Sequence, residues 1–179
     1  MKGIIFSEFL EMVEQQFGID VLDHIIQHSD LPSGGSYTAV GTYHHSEMVA
    51  LVISLSQKSG ISVSELLKTY GAYQFKRFAI LYPTFFDGVT SAFDFLEGLE
   101  SYIHPEVRKL YPDAELPRFD TQRMDENTLQ MTYKSERHLG DFAEGLIQGC
   151  LSHFQEQATI SQEKLSADED HILFSIIRT

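Results

Sequence analysis

Three residues spaced two apart, Tyr133, Ser135 and Arg137, place a phenol, a hydroxyl and a guanidinium in one short stretch, Tyr133-Lys134-Ser135-Glu136-Arg137. Alternate side chains of an extended segment share a face, so the three would form one donor array for anions. Arginine pairs with carboxylates in a bidentate, charge-assisted way. An exposed sheet face carries the same residue types, and Tyr-x-Ser-x-Arg as a bare pattern is weak. Upstream, His104 stands in Tyr102-Ile103-His104-Pro105, after an aromatic and apolar stretch, and Pro117 follows thirteen positions later. Pro105 biases His104 away from α geometry and can open a new helical segment over 105–110. Taken alone, His104 reads as a core or boundary histidine, and only its company argues for more.

The other histidines have weaker settings. His24 and His28 are spaced to share a helix face, a zinc-ligand spacing, but no carboxylate or cysteine pattern completes a site. The adjacent pair His44-His45 points apart on a helix or strand. His138, His153 and His171 belong to no constellation. Cys150 is the one cysteine; it excludes an internal disulfide, a cysteine-based zinc or iron–sulfur site within one chain, and Cys-x-x-Cys-His attachment. Its place among apolar residues predicts a packed thiol. No Gly-x-Ser-x-Gly nucleophile motif occurs.

These residues need elements to position them. Phe6, Phe9, Leu10, Val13 and Phe17 recur at helical spacing, Gly18 ends that helix, and Val21, Leu22, Ile25 and Ile26 mark a second. Residues 31–36, Leu-Pro-Ser-Gly-Gly-Ser, are a loop. Helices are expected over 47–58 and 62–82, the latter opened by a capping box of Ser62 and Glu65 and closed by Pro83. An apolar stretch runs from Val89 to Tyr102. Beyond Phe119 the texture becomes alternating: 118–123 and 128–133 read as a hairpin around Asp125-Glu126-Asn127. A helix over 140–157 follows, with Phe142, Leu146, Ile147 and Phe154 on one side. A second hairpin pairs 159–165 with 171–177 around Ala167-Asp168-Glu169-Asp170. The expected class is α+β, a helical N-terminal half packed on a C-terminal antiparallel sheet with one long helix inserted, in a single domain spanning 1–179.

Composition narrows the function. The chain has 179 residues, with 13 Lys and Arg against 26 Asp and Glu, for a formal charge of −13. Such a surface repels a phosphate backbone, which disfavours nucleic acid as a partner. The N-terminus meets Glu8 too early for a signal peptide, and no apolar run reaches the ~20 residues of a membrane span. A reduced, cytoplasmic protein without membrane insertion is expected.

The order His104, Pro117, then Tyr133-x-Ser135-x-Arg137 resembles the haem-nitric oxide/oxygen binding (H-NOX) family of gas sensors. The likeness extends over Met1-Lys2-Gly3-Ile4-Ile5, Gly71-Ala72-Tyr73-Gln74-Phe75, Leu110-Tyr111-Pro112, Leu116-Pro117 and Gly145-Leu146-Ile147-Gln148-Gly149. It implies a non-covalent haem b buried between the two halves. His104 would be the axial iron ligand, a role neutral imidazole commonly fills. Tyr133, Ser135 and Arg137 would hold the propionates, Pro117 would press on the porphyrin and bend it, and Ile5, Phe9, Phe78 and Leu146 would be apolar pocket wall. Oxygen-binding members carry a distal tyrosine five residues after the motif's arginine; here that residue is Phe142. An apolar pocket favours NO and CO, while Gln74 stands where oxygen-binding relatives keep a polar residue.

The resemblance further implies a nitric oxide sensor and not an enzyme. NO would release His104 from iron, the haem would flatten, and the N-terminal helices would shift against the sheet. Stand-alone bacterial relatives pass the signal to a separate protein such as a histidine kinase or a cyclic-di-GMP enzyme. The C-terminal cysteine cluster that holds zinc in some relatives is missing here, so no structural metal is expected. The alternatives are an O2- or redox-responsive haem sensor of the same fold and a haem- or metal-dependent enzyme using His24, His28 and nearby acids.

Overall fold

Gly18 makes the first corner of the chain. Its φ of 88° is open chiefly to glycine, and its N–H closes on the Glu14 carbonyl at 3.0 Å, ending α1 (Gly3–Phe17) and admitting α2 (Ile19–Gln27). A loop then leads to α3 (His45–Ser59) and α4 (Val63–Leu81). The computed structural model describes residues 1–167 and 170–179. Ser62 caps α4 by accepting the Glu65 N–H at 3.2 Å, and its hydroxyl donates to the Glu65 carboxylate at 2.8 Å, so the expected Ser62–Glu65 pair forms. Phe6, Phe9, Met12, Val13, Leu51, Leu55, Leu66 and Tyr70 bury together as the helical core.

The apolar stretch from Val89 resolves into α5 (Ala92–Glu97) and a π-helical turn (Leu99–Ile103), which leads into α6 (His104–Leu110). Here the expectation for His104 fails. Its φ and ψ, −63° and −38°, are α-helical although proline follows. A proline ring ordinarily collides with the carbonyl four residues back. The widened turn, in which the His104 N–H reaches back five residues to the Leu99 carbonyl, relieves that crowding, and π turns of this kind recur at functional sites.

The C-terminal part holds β1 (Arg118–Arg123), β2 (Thr128–Lys134), α7 (Gly140–His153), β3 (Ala158–Lys164) and β4 (His171–Arg178). The sheet is antiparallel in the order β1-β2-β4-β3. Phe119 pairs with Tyr133, and Tyr133 with Ile172. Alternation puts Leu129, Met131, Tyr133, Ile172, Phe174 and Ile176 inward, where they pack with α5 and α7 in a second core. The α+β class and the inserted helix are as expected, although α7 stops short of Gln157. Of the second hairpin both strands form, while Asp168 and Glu169 in its expected turn lie outside the described residues.

One contact determines how α7 meets the helical half. A Cβ on Gly71 would lie 2.3 Å from the Phe142 carbonyl oxygen, and one on Gly145 would lie 2.2 Å from the Lys68 carbonyl oxygen. The two helices therefore cross backbone on backbone, and this crossing carries Phe142 and Leu146 to the space between the cores.

Candidate functional site

Between the helical core and the sheet lies a predominantly apolar cavity. Ile4 and Ile5 of α1, Phe78 of α4, and Phe142, Leu146 and Ile147 of α7 line one part of it. Leu99, Ile103, His104 and Val107 come from the π turn and α6, Leu116 and Pro117 from the approach to β1, and Phe119 from β1 itself. Tyr133, Ser135 and Arg137 also reach it.

His104 is 7% exposed. Its Nδ1 lies 2.9 Å from Oε1 of Glu100, and the same oxygen accepts the Phe119 N–H at 3.0 Å. A carboxylate offers only acceptors, so Nδ1 carries the proton and Nε2 is the nitrogen left to coordinate a metal. Burial lowers the His104 pKa, against the opposing pull of Glu100, which favours the neutral, ligating form.

Tyr133, Ser135 and Arg137 meet at the cavity, but not by strand alternation. Only Tyr133 lies in β2; the strand ends at Lys134 and residues 136–137 form a turn. The Arg137 N–H bonds the Ser135 hydroxyl at 3.3 Å, and His138, with φ of 54°, then swings the chain toward α7. The turn curls the two donors back over the cavity that Tyr133 reaches from the sheet. The Arg137 guanidinium donates to the backbone oxygen of Glu115 at 2.8 Å and to its carboxylate at 2.9 Å, so this position already accommodates a carboxylate. The field of Arg137 is felt at His45, whose pKa is lowered by burial first and then by His44, Arg137 and His138.

Other expected wall residues divide. Ile5, Phe78, Phe142, Leu146 and Pro117 line the cavity. Phe9 does not: it is fully buried in the helical core, edge-on to Tyr70 with ring centroids 5.0 Å apart. Four residues on, it stands about 6 Å further along α1, inside the helical core and past the cavity that Ile5 lines. Tyr70 sits behind the wall, its ring stacked on Phe142 at 5.1 Å and its hydroxyl bonded to the Ile5 carbonyl oxygen and 2.5 Å from Gln74 Oε1. Gln74 is fully buried, and its Nε2 has no partner. The wall phenols Tyr82 and Tyr111 bond each other at 2.8 Å.

A family model described as haem-NO-binding matches residues 2–162. The chain belongs to the H-NOX family. Among solved structures this H-NOX chain is similar to the Fe(II) unliganded H-NOX protein from K. algicida, at 41% identity over 100% of this chain and 97% of that one, with TM-score 0.94. It is similar to the H-NOX protein from S. oneidensis in the Fe(II)NO state, at 28% identity over 100% and 99%, with TM-score 0.90. It also matches H-NOX from Shewanella woodyi in the Fe(II)CO state, at 38% identity over 100% and 95%, with TM-score 0.85. A comparison with curated protein sequences finds no match. The fold is that of a haem-based gas sensor, in a family of sensors and not enzymes.

The donor set of this H-NOX chain fits a haem: one pinned neutral imidazole, an apolar lining, and a guanidinium with two hydroxyls at the mouth. Glu100 and Glu115 escaped sequence reasoning, because single carboxylates in an acid-rich chain do not stand out. Glu100 had a signal, its helical i,i+4 spacing from His104. His24 and His28 remain an exposed pair with stacked rings 4.0 Å apart, and among the described residues no group of three or more His, Cys, Asp or Glu is arranged to hold a metal. Cys150 is buried, and burial raises its pKa well above the ordinary thiol value. No helix among the described residues is long and apolar enough to cross a membrane.

Proposed function

We propose that this chain is a cytoplasmic nitric oxide sensor, one domain over 1–179, holding haem b without a covalent link and having no enzymatic activity of its own. The observation that carries the reading is the apolar wall built by Ile5, Phe78, Phe142 and Leu146, with phenylalanine, which has no hydrogen-bond donor, at position 142. Bound O2 gains from such a donor, whereas NO and CO depend on it far less. When bound, a haem would supply the ferrous iron that takes a diatomic gas, the chemistry this cavity is built to hold.

His104, with Nδ1 held by Glu100, would hold the iron through Nε2. Arg137, with Ser135 and Tyr133, orients the propionates by charge-assisted bonds. Pro117, which lines the cavity, would pack against the macrocycle, and the apolar wall would exclude water. Loss of the His104 bond would free α6 to move relative to β1 and would shift the balance between two arrangements of the helical half and the sheet. A separate signalling protein, such as a histidine kinase or a cyclic-di-GMP enzyme, reads that shift.

Absorption spectra of the ferrous haem protein alone, under NO, under CO and in air provide the test. A five-coordinate NO spectrum with no stable complex in air is the expected result; a persistent complex in air would overturn the choice of gas. An O2-responsive sensor is the second reading: Gln74 does not line the cavity, but its unpartnered amide nitrogen is the donor that such a sensor would have to bring in. In that case Gln74→Leu would abolish the complex in air.

A further inference from the structure

Glu100 does more than the exposed acids around it. It lies inside the π-helical turn Leu99–Ile103, and a single oxygen, Oε1, takes the His104 Nδ1–H at 2.9 Å and the Phe119 N–H at 3.0 Å. An ordinary i,i+4 pair on a helix surface would be solvated and worth little. This one joins a histidine whose side chain is 9% exposed to the second residue of β1. Phe119 in turn packs near both functional rings, its centroid 6.1 Å from that of His104 and 5.6 Å from that of Tyr133.

We propose that Glu100 is the positioning residue that sets how firmly His104 holds iron and that couples this bond to the start of the sheet, an inference resting on the sensor reading of His104. A carboxylate that accepts the distal N–H of a ligating imidazole fixes its tautomer and ring orientation and makes the other nitrogen a stronger donor. The shared oxygen also ties the imidazole to β1. The ring cannot turn away from the cavity without straining or breaking its bond to Glu100, and the Phe119 N–H is the other load on that oxygen. Release of His104 is thereby registered at β1 and Pro117 as well as at α6.

The test uses the haem-loaded protein in four forms: wild type, Glu100→Gln, Glu100→Ala, and Glu106→Gln as a control, since Glu106 bonds only the exposed Lys109. Resonance Raman spectroscopy of the ferrous state reads the iron–histidine stretch, and transfer of haem to excess apomyoglobin reads retention. Glu100→Gln replaces an anionic acceptor with a neutral one of the same shape and lowers the stretching frequency; Glu100→Ala lowers it further and speeds haem loss about tenfold or more, the scale on which partners behind a metal ligand act. Glu106→Gln leaves both at wild-type values. Glu100→Gln with a wild-type stretch and wild-type retention would overturn the proposal. The sensor reading is judged separately, on the wild-type NO spectrum, and survives that result. Because Glu100→Gln keeps shape and an acceptor oxygen, misfolding of the alanine variant leaves the proposal decidable.

Discussion

At the scale of single residues, the proposed choice of gas turns on Phe142, which lines the cavity. Its ring is backed by Tyr70, whose hydroxyl is engaged with Ile5 and Gln74, so that phenol is unavailable to a bound gas. Phe142→Tyr adds the missing donor. A hydrogen bond to a charged acceptor contributes about 1.5–3 kcal/mol; the variant should therefore bind O2 roughly 10- to 150-fold more tightly, measured by oxygen titration of the ferrous protein, with NO affinity little changed. His104, Pro117, Tyr133, Ser135 and Arg137 all line the cavity, and in the sequence they stood out by an order and spacing that resemble the H-NOX family. Phe9 was misplaced because helical periodicity reports that a residue is buried and not which of two neighbouring cores receives it. Glu115 was invisible: its role depends on a contact across 22 residues that no local pattern records.

At the scale of elements, the crossing of α4 and α7 sets the wall. A Cβ on Gly145 has nowhere to go, since the nearest atoms belong to backbone. Gly145→Ala should destabilise by about 1–3 kcal/mol, the range for overpacking a close contact, seen as a lower denaturation midpoint in urea. Strands and helices were largely legible from periods of two and 3.6 residues. What was not legible lies at junctions. The His104–Pro105 step stays helical because the preceding π turn removes the clash that proline usually causes. Likewise, Ser135 and Arg137 leave the strand, since the chain must turn at His138 to enter α7, a demand of topology and not of local preference.

At the scale of the whole molecule, Lys2 clasps the start of the chain to the segment beyond α6. Its ammonium donates to the Val40 carbonyl oxygen, to Thr42 and to both oxygens of Asp113. These bonds, from Lys2 first and then from Thr42, hold the Asp113 carboxyl down to about 2. A carboxylate depressed when folded stabilises the protein above its unfolded pKa, near 4, and that contribution is lost as pH falls through about 2. Wild type should therefore lose stability between about pH 4 and pH 2 more steeply than Asp113→Asn, as followed by denaturant unfolding at a series of pH values. Added salt should narrow the difference, because the Asp113 carboxylate is exposed. Neither partner announces this contact in the sequence, where 111 residues separate them.

The π turn before His104 has a consequence for chain length. Successive residues of an α-helix are about 100° apart around its axis and 1.5 Å apart along it. The turn from Leu99 to Ile103 accommodates one residue more than a regular helix would. Shortening it by one would swing His104 about a quarter turn off the cavity and shift Glu100 relative to Phe119, while leaving every functional side chain in the sequence. The count of residues between Gly98 and His104 is thus as much a part of the site as the histidine itself, and a homologue that kept the motif but lost one residue there would keep the letters of the site without its geometry.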